Sequence, residues 1–386
     1  MKYRKLSSIY FEDKMKFEQL YERRFNSESS YRFDLKIGES IGFVFINPSI
    51  LEKLDDIRKL DKALSEKVNK LPSIALMQYT RKCLVDEIKL TNDIEGVVST
   101  RKEISEILND ITGKKQVKRL YGLVKKYELL LEEPIELSTC DNIKSIYDSL
   151  VLKAVIYENP SNIPDGEIFR KDKVYIKSPN GRTIHTGLYP EELIIDVMQA
   201  GLDILNNEQY NKLIRIAVFH YIFGYAHPYY DGNGRTSRFI SSYLLSRELH
   251  PLISYRISHT IKENINMYYK SFKIANDSNN KGELTHFVDD FLVILRNSLI
   301  ELCEIIDEKN QQLKYFENQI KFISGKDEKT LEILGVLLQN SLFGEFGIDI
   351  VSICGITHIG SSKVRNVIRK LNEENYLRVG KDGKKK

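Results

Sequence analysis

The spacing of apolar and polar positions changes character several times along the chain. Tyr31-Arg-Phe-Asp-Leu-Lys-Ile37 alternates with a period of two. Gly42-Phe-Val-Phe-Ile46 is an apolar run that stops at Asn47-Pro48, so strand is expected among helix in residues 1–70. From Pro72 to Glu95 the spacing is helical, and Gly96 stops it. Thr100 and Glu103 fit a capping box at the head of the next helix. Leu120–Leu131 and Asn142–Leu152 continue the helical spacing, with Glu132-Glu-Pro-Ile as a connector. Residues 160–192 break it. Asn159-Pro160 and Pro164-Asp165-Gly166 read as turns, Lys173–Lys177 and Thr183–His185 as strands, and Pro179-Asn180-Gly181 as the hairpin turn between them. One hairpin among helices is too small for a sheet core and reads as a flap. Helices resume at Pro190-Glu-Glu-Leu and run to about Gly325, with Glu283–Ile323 either one long helix or a broken pair.

After Ser324-Gly325 the texture shifts again. Glu328–Asn340, Ile348–Gly355 and Lys363–Glu374 read as three helices, with a tight turn at Gly360, a strand at Tyr376-Leu-Arg-Val and a basic tail from Gly380 to Lys386. That is the pattern of a winged helix-turn-helix. The expected fold is mainly α, with a β-hairpin flap and a C-terminal winged helix-turn-helix. The expected boundaries are an N-terminal extension (1–70), a helical domain (71–300), a helical connector (301–325) and the winged-helix module (326–386).

Composition narrows the function classes. A chain of 386 residues has room for two or three domains. Its 42% hydrophobic and 29% charged residues are ordinary for a globular protein, so disorder is not expected. A net charge of +4 is too weak to imply nucleic acid by itself. Cys83, Cys140, Cys303 and Cys354 form no CxxC pair, which suggests neither a zinc site nor a disulfide framework. Met1 to Lys5 are charged and polar with no apolar stretch behind them, and no apolar run approaches membrane length. The expectation is a soluble, cytoplasmic protein with no signal peptide and no membrane partner. The wealth of Lys, Ile, Asn and Tyr suggests an AT-rich bacterial genome.

The densest chemistry lies in His227-Pro-Tyr-Tyr-Asp-Gly-Asn-Gly-Arg-Thr-Ser-Arg238, between the helical segments Lys212–Ala226 and Arg235–Leu249. Gly232 and Gly234 let backbone N–H groups converge without a Cβ in the way. Such a nest at a helix N-terminus binds phosphate. Arg235 and Arg238 are three apart, share a helix face and can grip phosphates placed by the nest. Asp231 offers a hard oxygen suited to Mg²⁺. His227, just ahead of the loop, can take a proton from an incoming hydroxyl at neutral pH. Singly, each piece is commonplace; a DGNG turn and a lone histidine are usually structural. In this order on a helix–loop–helix they point to one site.

The stretch resembles the signature of the Fic family, HxFx(D/E)GNGRxxR, with Tyr229 where Phe is usual. The resemblance covers about residues 73–300. It implies a protein adenylyltransferase that moves AMP from Mg-ATP to a Ser, Thr or Tyr hydroxyl of a target protein and of itself. It implies His227 as the base and Asp231 as the Mg²⁺ ligand. Asn233 and Arg235 are implied as phosphate ligands and Arg238 as the γ-phosphate ligand, with Gly232, Gly234 and Thr236 completing the nucleotide site. The related Doc kinases carry Lys where this chain has Gly234, so Gly234 favours AMP transfer over phosphate transfer. Tyr268, Tyr269 and Asn276 resemble the adenine-side segment; the plain alternative is an amphipathic helix with two core tyrosines. The hairpin at 173–186 resembles the family flap, which places Thr183, Ile184 and His185 near the nucleotide and lets a target's backbone align by strand addition.

Thr91-Asn-Asp-Ile-Glu95-Gly96 resembles the family's inhibitory motif, (S/T)xxxE(G/N). Thr91 and Glu95 are one helical turn apart on one face. Glu95 sits in a last turn, where the helix dipole disfavours a carboxylate and an arginine partner is invited. The resemblance names that partner as Arg238, so that Glu95 would hold the enzyme inhibited.

In the C-terminal module, Lys363, Arg365, Arg369 and Lys370 lie on or near the candidate recognition helix and Lys381, Lys384, Lys385 and Lys386 end the chain, offset by Glu373, Glu374 and Asp382. DNA and protein are both open as its partner, and a homodimer is a candidate assembly. Two other readings stay open for the whole chain. One is AMP removal, with Glu95 orienting water. The other is a DNA-binding regulator with a nucleotide-sensing core.

Overall fold

The early alternation folds as expected, and helices make up nearly all the rest. In the computed structural model the chain begins with α1 (Leu6–Glu12) and α2 (Lys14–Phe25), then the antiparallel hairpin β1 (Ser30–Ile37) and β2 (Ser40–Phe45). There follow α3 (Pro48–Val68), α4 (Ser73–Ile94), α5 (Arg101–Leu108), α6 (Tyr121–Glu128) and α7 (Cys140–Tyr147). A π-helical turn, Asp148–Leu152, leads into α8 (Lys153–Glu158). A second antiparallel hairpin, β3 (Tyr175–Lys177) and β4 (Thr183–Thr186), precedes α9 (Glu191–Asn206), α10 (Lys212–Ala226) and α11 (Asn233–Ser246). Then come α12 (Ile257–Glu263), α13 (Ile265–Ala275), α14 (Thr285–Ser324), α15 (Glu328–Phe343), α16 (Ile350–Thr357) and α17 (Ser361–Glu373). The structure describes residues 3–110, 116, 118–177, 183–324 and 327–380. For Lys177, Thr183 and Ile184 it describes the backbone only. The turn Pro179-Asn180-Gly181, the break at Gly325 and the tail lysines Lys381, Lys384, Lys385 and Lys386 lie outside the described residues.

The chain forms two compact units, Met1–Leu64 with Leu84–Glu301, and Ser65–Cys83 with Leu302–Lys386. In the first, α10 is buried on almost every face, from Leu213 to Ala226, as its unbroken apolar run requires of a central helix. Around β2, Leu6, Ile9, Phe17 and Phe43 form a small core of their own. Buried Arg24 pairs with buried Glu283 at 2.9 Å, a contact that the sequence does not announce. Thr100 caps α5 by accepting the Glu103 N–H, and Thr139 forms a full capping box with Asn142 on α7.

In the second unit, Ile333, Val336, Ile353, Val364, Val367 and Leu371 bury one face each of α15, α16 and α17. The turn between α16 and α17 is made by His358, whose φ of 54° reverses the chain. The expected strand at Tyr376–Val379 is absent. Asn375 takes a φ of 62°, and the Tyr376 N–H returns to the Leu371 carbonyl at 2.9 Å, closing α17. No second strand lies near it among the described residues 327–380, so a wing has nothing to pair with there. Where the segment 283–323 was open to one helix or two, the structure has a single 40-residue helix, α14 (Thr285–Ser324). No helix among the described residues is long and apolar enough to cross a membrane.

Candidate functional site

His227 ends α10 in the left-handed conformation, φ 51° and ψ 63°, with its N–H returned to Phe223 O at 2.9 Å. Burial, helped by the neighbouring Arg170 cation and by His185, pushes the imidazole down to about 3. The ring is therefore neutral at pH 7, and the same burial that keeps it neutral lowers its basicity.

The loop is fixed from below. The Tyr229 ring stacks on Tyr147 at 3.6 Å and meets Phe169 edge-on at 5.5 Å. Its hydroxyl, the one atom by which it exceeds Phe, is buried with no partner among the described residues. Tyr147 donates to the Asp231 carbonyl at 3.1 Å. Asn233 locks the turn: its Oδ1 accepts the Tyr229 N–H at 2.9 Å and its Nδ2 donates to Tyr229 O at 2.7 Å. The side chain expected to hold phosphate is thus spent on the loop, which leaves the Asn233 backbone N–H for an anion. Thr236 is likewise buried, donating to Gly232 O at 2.9 Å. Gly232 takes φ 80° as N-cap of α11, and the leading amides of that helix face the loop. A Cβ on Gly234 would run into the carboxylate of Glu95.

Both arginines are engaged. Arg235 is fully buried, and its Nη1 and Nη2 each lie 3.3 Å from a different carboxylate oxygen of Glu158, with Asp231 Oδ1 at 3.4 Å from Nη2. Arg238 donates from Nε to Thr91 Oγ1 at 2.8 Å and from Nη2 to Thr91 O at 2.9 Å. Its Nη2 also meets Glu95 Oε1 at 2.8 Å. Burial pulls the guanidinium pKa down, but Glu95, Tyr268 and Tyr127 together outweigh it and the net shift is upward. The pair that the sequence proposes between Glu95 and Arg238 is therefore in contact. Gly96 follows with φ 73°, turning the chain away after α4. Eight residues before Glu95 on α4, buried Glu87 accepts the Ser258 N–H at 2.9 Å and also takes its hydroxyl, tying α4 to α12. Burial pushes that carboxyl up to about 7.

The remaining expected residues divide. On the hairpin, Tyr175 faces Thr186 and Ile176 faces His185 across the two strands. His185 donates from Nε2 to Tyr225 O at 2.8 Å and stacks on the Tyr225 ring, so its ring is anchored to α10. The side chains of Thr183 and Ile184 lie outside the described residues. Tyr268 is buried and its hydroxyl meets His220 Nε2 at 2.8 Å, which makes it a core tyrosine. Asn276 accepts the Tyr221 hydroxyl at 2.7 Å. Tyr269 is 43% exposed, the one of the three turned to solvent.

Sequence reasoning missed Glu158, Glu87, His220 and Arg170. None carries a spacing signal: Glu158 and Arg170 flank irregular chain, and Glu87 and His220 look like stray polar residues on apolar helices. His259 and Glu263 on α12 and Glu301 on α14 bring ligand atoms within 4.8 Å of one another. Arg256 already lies 3.1 Å from His259 and 2.9 Å from Glu301, so that cluster has its cation. At the loop, Asp231 has a partly exposed carboxylate beside free helix amides. One carboxylate next to a phosphate nest fits Mg²⁺, which keeps most of its water and shares its remaining ligands with substrate phosphates. Two arginines and the nest fit a nucleoside triphosphate once the Glu95 carboxylate, which fills the space over Gly234, moves aside.

Residues 139–245 match the Fic/DOC family. The chain is 28% identical over 270 residues to the protein adenylyltransferase Fic of Drosophila mojavensis, covering 63% of this chain and 49% of that protein. It is 32% identical over 147 residues to the protein of the same name from Drosophila willistoni, covering 37% and 26%. The chain thus spans about half, or less, of the length of the curated relatives it matches. A Fic family protein from Desulfovibrio desulfuricans G20 has a similar fold, with a TM-score of 0.54 at 18% identity, covering 85% of this chain and 90% of that one.

Proposed function

Because the chain carries a Fic/DOC-family domain over residues 139–245, we propose that it is a protein adenylyltransferase that transfers AMP from Mg-ATP to a Ser, Thr or Tyr hydroxyl of a target protein and of itself. The observation that carries the reading is the left-handed turn at His227, which ends α10 and leads directly into the loop and the α11 N-terminus, with Asp231 at the head of that helix and Arg235 and Arg238 along it. The attacking hydroxyl oxygen bonds to the α-phosphorus while the bond to the bridging oxygen breaks and pyrophosphate leaves. His227 takes the hydroxyl proton. The α11 amides, Arg235 and Arg238 hold the phosphates and offset the charge that builds on the leaving group. Asp231 would hold the Mg²⁺, which supplies further charge neutralisation there.

Arg238 and Arg235 are both paired with carboxylates, Glu95 and Glu158. Glu95 is the inhibitory group in this reading, since it occupies the guanidinium that would take the γ-phosphate. The C-terminal helices would serve as a docking module: α17 exposes Arg365, Arg369 and Lys370, which suits DNA phosphates or an acidic protein surface.

The base is tested directly. His227→Ala should abolish transfer, a loss of roughly 10²–10⁴ in rate, while ATP still binds, because nest and arginines are untouched. Undiminished transfer by that variant removes the mechanism.

A further inference from the structure

Arg170 is fully buried, yet none of its hydrogen bonds goes to a carboxylate. Its Nε donates to His227 O at 2.9 Å, its Nη2 to Leu188 O at 2.9 Å and to Ala226 O at 3.4 Å, and its Nη1 to Asp172 O. A buried cation spent entirely on four main-chain carbonyls is costly unless the geometry that it enforces is needed. The four carbonyls belong to two pieces of chain. Ala226 and His227 are the end of α10 and the left-handed residue that carries the base. Asp172 and Leu188 are the two sides of the root of the β3–β4 hairpin.

Main-chain bonds knit the same seam. The Arg170 N–H donates to Pro228 O at 3.1 Å, the Leu188 N–H to Ala226 O at 3.1 Å, and the Gly187 N–H to Val174 O at 3.0 Å. A Cβ at Gly187 would overlap the Arg170 guanidinium, so that position gives the fork its space. A left-handed, non-glycine residue costs of order 1 kcal/mol and persists only where its surroundings determine it.

We propose that Arg170 is a positioning residue for the reaction: its guanidinium, fanned over four carbonyls, clamps the turn that carries His227 to the root of the hairpin and so fixes the base relative to the hydroxyl that the hairpin presents. This rests on the reading of His227 as the base. Lysine cannot replace it, because an ammonium is a point donor and cannot span four carbonyls in one plane.

The test uses the full chain with Arg170→Lys and Arg170→Ala, checked first for an unchanged melting transition. Arg170 does not reach the nest, so KM for ATP should stay within about twofold while kcat for self-labelling falls by roughly 10², the usual cost of a misplaced reacting group. Ethylguanidinium added to the Arg170→Ala protein should restore part of the rate, and ethylammonium should not. A second readout is independent of activity: amide hydrogen exchange at Gly187, Leu188 and His227 should accelerate in both variants, with α11 unchanged. Unchanged exchange at those amides overturns the clamp. Faster exchange with kcat unchanged overturns the positioning role, and a KM rise with kcat unchanged makes Arg170 a nucleotide ligand instead. A Glu95→Gly protein that transfers nothing sinks the AMP-transfer reading, and the exchange arm then decides the clamp alone.

Discussion

Replacing Glu95 with glycine asks whether its contact with Arg238 restrains the enzyme. The wild-type contact is one charge-assisted bond of 2.8 Å, with the arginine buried and the carboxylate side chain 27% exposed. A hydrogen bond to a charged group of this kind contributes about 1.5–3 kcal/mol net. If it competes with the γ-phosphate for Arg238, removing it should raise productive ATP occupancy roughly 10- to 150-fold below saturation. The fold should be spared. Glu95 lies just beyond α4, Thr91 still accepts from Arg238 through both its hydroxyl and its carbonyl, and Glu87 still ties α4 to α12. The assay is initial self-labelling rate against ATP concentration, in parallel with thermal melting. Glu95→Gln, which keeps the shape and loses the charge, should fall between wild type and glycine. Equal labelling by all three folded proteins across the ATP range refutes the competition.

Two further outcomes follow from other parts of the structure. Buried His220 is held at about 3 by burial, reinforced by Arg238, against roughly 6.5 in an unfolded chain. The unfolded state therefore binds the extra proton below about pH 6.5, and stability that is full above that pH should fall by about 2 kcal/mol at pH 5 from this residue. The drop in urea midpoint between pH 7 and 5 should shrink in His220→Gln, and an identical drop would contradict the assignment. If α17 binds duplex DNA through Arg365, Arg369 and Lys370, affinity should fall roughly 40-fold between 50 and 200 mM salt for three phosphate contacts. In a mobility shift, no complex at low salt leaves protein docking as the role of that module.

The site was legible where chemistry and spacing coincide. The glycines and arginines around 231–238 and the one-turn spacing of Thr91 and Glu95 are local patterns, and the structure brings Glu95, Thr91 and Arg238 together. The strands of the first hairpin could be read from alternation and an apolar run, though not their pairing, and the second hairpin from its two strand-like segments. Arg170, Glu158, Glu87 and His220 could not, because each owes its place to a partner far away in sequence and to no periodicity of its own. Asn233 and Tyr268 were legible as important but not as to what they touch. An amide can serve a phosphate or the loop below it, and only the fold shows that Asn233 closes onto Tyr229. The strand expected at Tyr376–Val379 failed because β-rich composition cannot supply a pairing partner.

The central claim is that the α-phosphorus is the atom attacked. The most direct measurement incubates the Glu95→Gly protein with Mg²⁺ and ATP radiolabelled either at the α-phosphate or at the γ-phosphate, and then resolves the protein. The account predicts label on protein from the α-position only, with pyrophosphate released. Label from the γ-position would mean phosphate transfer and would contradict the role given to Gly234.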